Sequence, residues 1–145
     1  IYGCDRCQNV CPRNISWMAE EKPVNQRVSA KASDFGLSRL LHMDAVYFEK
    51  KIWPHMFYMS PDDLWRWKMN VARAMGNSLN PVYVADLIRA FHENSDERVR
   101  CMAAWALGRI GGNEAVEALG RFLKNSDGVV REEIEQAMVS ASAGV

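Results

Sequence analysis

Val71-Ala72-Arg73-Ala74-Met75-Gly76 and Ala103-Ala104-Trp105-Ala106-Leu107-Gly108 align at a shift of 32 residues. Downstream, Asn94-Ser95-Asp96 returns as Asn125-Ser126-Asp127, and Val99-Arg100 returns as Val130-Arg131, both at a shift of 31. A period of this length, with room for two helices, is the mark of a stacked helical array. One helix pair cannot bury its apolar face alone, so neighbouring pairs must stack. The apolar spacing predicts helix pairs over 61–76 with 81–93 and over 96–110 with 113–124, closed by a last helix over 127–141. Small residues recur at Ala103, Ala104, Ala106, Ala115 and Ala118, which lets helices approach closely. Nowhere do β-branched residues alternate between turn signals, so the expected fold is all-α: a short α-solenoid preceded by an irregular N-terminal arm.

Element starts are written in the sequence. Ser60-Pro61-Asp62-Asp63 puts a capping Ser, a Pro at the first helical position and acids in the first turn, and Asn80-Pro81 repeats the signal. Gly76-Asn77 reads as the stop between them. Before the repeats, Phe35, Leu37, Leu40 and Leu41 form one short apolar stripe, and Ala45, Val46, Phe48 and Ile52 suggest a second short helix ended by Pro54. Segment 34–58 is expected to cap the array. Residues 15–33 are polar and mixed, with Pro23, Asn25 and Ser29, and are expected to form a loop or irregular wrap. The division expected is 1–33, a partial cluster motif and linker, and 34–145, the helical repeat domain. The stretch Ala104-Trp105-Ala106-Leu107-Gly108-Arg109-Ile110-Gly111 resembles a HEAT repeat of the short, lyase-like kind.

The chemistry lies at the other end. Three of the four cysteines fall within eight residues, as Cys4-x-x-Cys7-x-x-x-Cys11-Pro12. A disulfide framework spreads its cysteines through a small secreted chain, whereas a tight trio favours metal binding in a reducing compartment. A structural zinc site needs four closed ligands, usually in two pairs, and no second pair exists here. His42, His55 and His92 stand apart from the trio. The three-residue gap before Cys-Pro instead matches the tail of the bacterial ferredoxin run, in which the last Cys ligates the other of two clusters. On that pattern Cys4 and Cys7 hold one [4Fe–4S] cluster and Cys11 reaches a second. The remaining ligands are absent from this chain, so the isolated fragment need not hold a cluster. Cys101 sits at helical spacing among Met102, Ala104 and Trp105 and reads as a buried thiol.

Composition excludes several functions. Eighteen basic and 18 acidic residues cancel, so bulk charge offers no case for nucleic acid or an anionic membrane. No run approaches the roughly 18–20 apolar residues needed to cross a bilayer. The start Ile1-Tyr2-Gly3-Cys4 has neither the basic nor the apolar region of a signal peptide, and it lacks an initiator Met, which suggests a beginning within a longer protein. A cytoplasmic location and a monomeric state are expected. Arg66 shares a helix face with Arg73, and Arg98 with Arg109. Between residues 60 and 110, however, seven Lys/Arg stand against six Asp/Glu, which reads as a salt-bridged surface. The aromatic run Trp53, Phe57, Tyr58, Trp65 and Trp67 is read as packing between the motif segment and the first repeat rather than as a base-stacking platform. No nucleophile–base pair, Gly-rich phosphate loop or paired carboxylate motif is present.

A family resemblance joins the two ends. Ile1-Tyr2-Gly3-Cys4-Asp5-Arg6-Cys7-Gln8-Asn9-Val10-Cys11-Pro12-Arg13-Asn14 resembles the second cluster motif of epoxyqueuosine reductases. Met69-Asn70-Val71-Ala72-Arg73-Ala74-Met75-Gly76-Asn77 resembles the segment where that family enters its HEAT-like region. The order of cluster motif, helical linker and repeats matches as well. The resemblance implies an iron–sulfur oxidoreductase with two [4Fe–4S] clusters and cobalamin, reducing epoxyqueuosine in the tRNA anticodon loop at the last step of queuosine biosynthesis. It implies Cys4, Cys7 and Cys11 as metal ligands, tRNA as a partner, and an N-terminal cobalamin domain that is not in this sequence. The fragment alone is not expected to be active. Where the family often has Trp after Cys-Pro, this chain has Arg13, a cation that should raise the potential of a neighbouring cluster. Two alternatives remain: a ferredoxin-like carrier with HEAT repeats serving another partner, and a purely structural repeat module.

Overall fold

Ser60 opens the stack as its sequence implies. Its side chain accepts from the Asp62 N–H at 3.2 Å, with Pro61 at the first helical position. The structure is a computed structural model and describes residues 6–56 and 59–142. A 3-10 turn over Pro61–Asp63 leads into a helix over Leu64–Ser78, here α6, after five shorter α-helices upstream. Asn80 caps the next start by accepting from the Val82 N–H, and a 3-10 turn over Pro81–Tyr83 runs into α7, Val84–Glu93. Asp96 caps α8, Glu97–Ile110, by accepting from the Arg98 N–H. Helices α9, Asn113–Leu123, and α10, Gly128–Ser142, complete the array. No strand occurs among the described residues, in agreement with the all-α expectation.

Two layers result. Helices α6, α8 and α10 pack side by side in one, with α7 and α9 covering them in the other. The core is apolar throughout the described residues: Val71, Ala72, Met75, Ala103, Ala104, Leu107, Leu119 and Ile134 are all fully buried. The close approach is set by glycine. A Cβ added at Gly76 would lie 2.8 Å from the Trp105 ring and 2.9 Å from the Ala106 Cα, on the next helix of the layer. A Cβ added at Gly108 would lie 2.6 Å from the Ala137 carbonyl oxygen, again on the next helix. The glycines that end the two aligned hexapeptides therefore do the same job, one repeat apart. In the second layer Phe91 and Phe122, 31 residues apart, stack with ring centroids 3.9 Å apart and planes 3° apart.

Three expectations change. Gly76-Asn77 is not a helix stop. Packing demands the glycine inside α6, and the helix ends at Leu79, which takes the left-handed conformation with φ 53°. Residues 15–33 are only partly the expected loop: residues 20–25 are irregular, with short helical segments on either side. Pro12 sits in the first turn of α2, Pro12–Ala19, and Asn25 caps α3, Gln26–Lys31, by accepting from the N–H groups of Arg27 and Val28. A 3-10 turn over Ala32–Phe35 follows. Pro54 does not end the second short helix. After α4, Leu37–Leu41, and α5, Ala45–Tyr47, the chain widens into a π turn over Phe48–Ile52 and then tightens into a 3-10 turn over Trp53–His55 that contains Pro54. Trp53 fixes this bend by donating its indole N–H to the Met59 carbonyl at 2.7 Å.

The described part of segment 34–58, residues 34–56, does cap the array. Leu40, Leu41, Phe48 and Ile52 are fully or almost fully buried, and α4 packs on α6. Phe48 meets the buried Trp67 with centroids 6.3 Å apart. A polar clasp ties the cap to α7. Ser38 Oγ donates to Asp86 Oδ2 at 2.5 Å, and the His42 ring lies 3.2 Å from both Asp86 Oδ1 and Arg89 Nε. Burial first, and the Arg89 charge second, push the His42 pKa below its ordinary value, against the pull of Asp86 and Glu93.

Candidate metal-binding turn and repeat surface

Cys7 lies on α1, Arg6–Asn9, with its side chain exposed. Cys11 is half-buried and stands at the N-cap of α2 in extended backbone geometry. Cys4 lies outside the described residues. Hydrogen bonds hold the turn between the two thiols. The Cys11 N–H donates to the Gln8 carbonyl at 3.3 Å, and the Cys11 carbonyl accepts from the N–H groups of Asn14 and Ile15. The Asn14 carboxamide reaches back to donate to the Gln8 carbonyl at 3.2 Å and to Gln8 Oε1 at 2.8 Å. Pro12 has no N–H to leave unsatisfied in this first turn. Both thiols are free. Among the described residues no three His, Cys, Asp or Glu side chains converge as a ligand group.

The other sequence candidates separate on the surface. Cys101 is half-buried in a groove with Glu133, Arg73 and Trp105, and burial, then Glu133, pushes its thiol pKa up, which favours the inert form. His55 packs on the Phe35 ring, and His92 stands edge-on to Phe122. Of the four arginines paired by helix face, Arg66 is 3.6 Å from Asp63, and Arg98 grips Asp96 through two nitrogens at 2.9 and 2.6 Å. Among the described residues Arg73 and Arg109 form no ion pair, and the Arg109 Nε is buried without a hydrogen-bond partner. Trp65 is half-buried, with the Arg98 guanidinium 3.4 Å from its ring centroid. Phe57 and Tyr58 lie outside the described residues.

The close-packed pairs with a period near 31–32 define a helical repeat protein. The family model of HEAT repeats matches residues 59–139, more than half of the chain, and the chain belongs to that family. The particular relatives are more specific. An epoxyqueuosine reductase of Bacillus cereus is 28% identical over an alignment that covers all of this chain and 36% of the relative. The epoxyqueuosine reductase of Bacillus subtilis is 28% identical over 95% of this chain and 35% of its own length. An uncharacterized protein of Geobacillus stearothermophilus is 33% identical over 92% of this chain and 61% of the relative. Among solved structures, epoxyqueuosine reductase from Bacillus subtilis superposes with a TM-score of 0.70 at 25% identity, over 96% of this chain and 37% of that one. A complex of epoxyqueuosine reductase with an epoxyqueuosine-modified tRNA-Tyr stem loop shares the fold, with a TM-score of 0.70 over 97% of this chain. The chain thus spans about a third of the length of the reductases it matches. No helix among the described residues is long and apolar enough to cross a membrane.

Proposed function

We propose that this chain is the C-terminal part of an iron–sulfur oxidoreductase of the epoxyqueuosine reductase type. In this reading residues 1–33 supply cluster ligands and residues 34–145 form a helical scaffold facing tRNA. The observation that supports it most is the order of parts. A free-thiol turn is followed by a capped HEAT stack, and the likeness to the reductases runs through both rather than through the repeats alone.

The donor set fits the cluster. Cys7 and Cys11 are unpaired thiols on one hydrogen-bonded turn, and thiolates are the ligands that [4Fe–4S] clusters take. Cys4, Cys7 and Cys11 are the ligands proposed. A bound cluster supplies one-electron transfer, which suits removal of an epoxide oxygen as water, a change that consumes two electrons and two protons. The chain's own residues position the donors. Asn14 and Gln8 fix the spacing of Cys7 and Cys11, Pro12 directs the chain into α2, and Arg13 adds positive charge beside Cys11. In this reading cobalamin would be held by another part of the reductase. The whole protein is proposed to act in the cytoplasm as a monomer.

The natural polypeptide, purified without oxygen, tests this by its cobalamin content and by conversion of epoxyqueuosine in tRNA under a chemical reductant. Cobalamin binding with turnover is the expected result. Iron without cobalamin or turnover would replace the reductase with an electron carrier.

A further inference from the structure

Where the two full repeats meet, on the edge carrying the loops after α7 and α9, a groove of about 410 Å³ opens above the Phe91–Phe122 stack. Its polar lining is His92, Asn94, Arg100, Arg121, Asn125 and Ser126, with no carboxylate among the lining residues. The Ser126 Oγ is buried and has no hydrogen-bond partner. The repeat supplies an internal control for the arginines. Arg131 occupies in α10 the position that Arg100 occupies in α8, and it is satisfied: it donates to the Leu123 carbonyl at 3.2 Å and pairs with Glu135 at 3.0 Å. One repeat earlier the position of Glu135 is taken by Ala104, so Arg100 lacks the acid one turn C-terminal that Arg131 has, and among the described residues it makes no ion pair with Glu97, one turn N-terminal. It lies instead 4.7 Å from the Phe91 ring centroid, half-buried. Arg121 stands where the preceding repeat has Ala90, and among the described residues it makes no ion pair, with Glu117 one turn before it on α9. Two guanidiniums that make no ion pair among the described residues thus line one groove with a hydroxyl that has no hydrogen-bond partner, although the chain as a whole is neutral. Guanidinium forks of this kind match the oxygens of a phosphate group.

We infer that this groove is a phosphate-binding site, with Arg100 and Arg121 as the charged contacts and Ser126 as a donor. The phosphate is either a free anion or a link in an RNA backbone. The inference rests on the tRNA-facing reading only for the second source, and a failed cluster assignment would leave the groove unchanged.

The test uses the intact chain with nitrogen-15 in its arginines, titrated separately with inorganic phosphate and with a short RNA hairpin. Phosphate should shift the side-chain signals of Arg100 and Arg121. Arg100→Gln and Arg121→Gln should each weaken binding about five- to tenfold. Arg131→Gln and Arg66→Gln, whose charges are already paired, should change it by less than about twofold. Thermal melts confirm that each variant folds. If the hairpin gives the same shifts at much lower concentration, and its salt slope falls by about one per variant, the source is a nucleic-acid backbone. If phosphate alone acts, the source is a free anion. No shift with either probe, or equal weakening in Arg131→Gln, overturns the inference.

Discussion

From Arg6 to Phe35 the helical segments bury no side chain, whereas every helix from Leu64 to Ser142 buries at least three. Both regions are helical, so the contrast is not one of secondary structure. The stack is specified by apolar burial and by close helix contact at Gly76 and Gly108. The arm is specified by local chemistry: Pro12 in a first turn, the Asn25 cap, and the Asn14–Gln8 clasp between two thiols. Its apolar side chains stay outside, with Trp17 62% and Val24 78% exposed. Stability and chemistry have separate addresses in this molecule, and substitutions should divide the same way.

The largest effect should come from emptying the stack. Leu107 is fully buried, and Leu107→Ala should lower the unfolding free energy by about 2–5 kcal/mol, measured by urea denaturation. Gly108→Ala follows. Its new methyl would meet α10 backbone atoms at 2.6 and 2.7 Å, which cannot swing aside as a flexible side chain would, so about 1–3 kcal/mol should be lost. A loss below that would show that the layer is loosely packed.

At the seam between cap and stack the lever is pH. His42 has a depressed pKa in the folded chain, through burial and then Arg89. Below its ordinary value of about 6.5 the unfolded chain binds a proton that the folded chain resists. Stability should therefore be full above that pH and fall as the pH drops toward the depressed value. Denaturant midpoints taken across this window should show the slope, and His42→Gln should flatten it. The smallest effect is expected in the arm. Trp17→Ala should change stability by less than about 0.5 kcal/mol, and a loss comparable to that of Leu107→Ala would erase the contrast.

Legibility in the sequence follows the same line. The repeat was readable because one physical demand recurs every 31 or 32 residues. Gly76 and Gly108 each meet the next helix of the layer, and Phe91 stacks on Phe122, its own counterpart one repeat on. Gly76 was legible as special but not in its role, because a stop and a close packing contact ask for the same residue. The short helices of the arm were hidden by their composition: Asn25 and Pro12 are loop residues and helix starters alike, and no apolar stripe decided between the two. The thiol spacing stood out on its own. Arg100 did not, since its distinction depends on Glu135 having no counterpart at Ala104, and on Asp96 being engaged by Arg98.

The HEAT stack is joined to a turn proposed to ligate a cluster, and that turn is the part most open to test. Iron and acid-labile sulfide should be measured in the natural polypeptide purified without oxygen, beside Cys7→Ala and Cys11→Ala variants. About eight irons per chain are expected, falling in each variant while the thermal melt of the stack stays unchanged. Zinc in place of iron, or an iron content indifferent to both substitutions, would contradict the assignment.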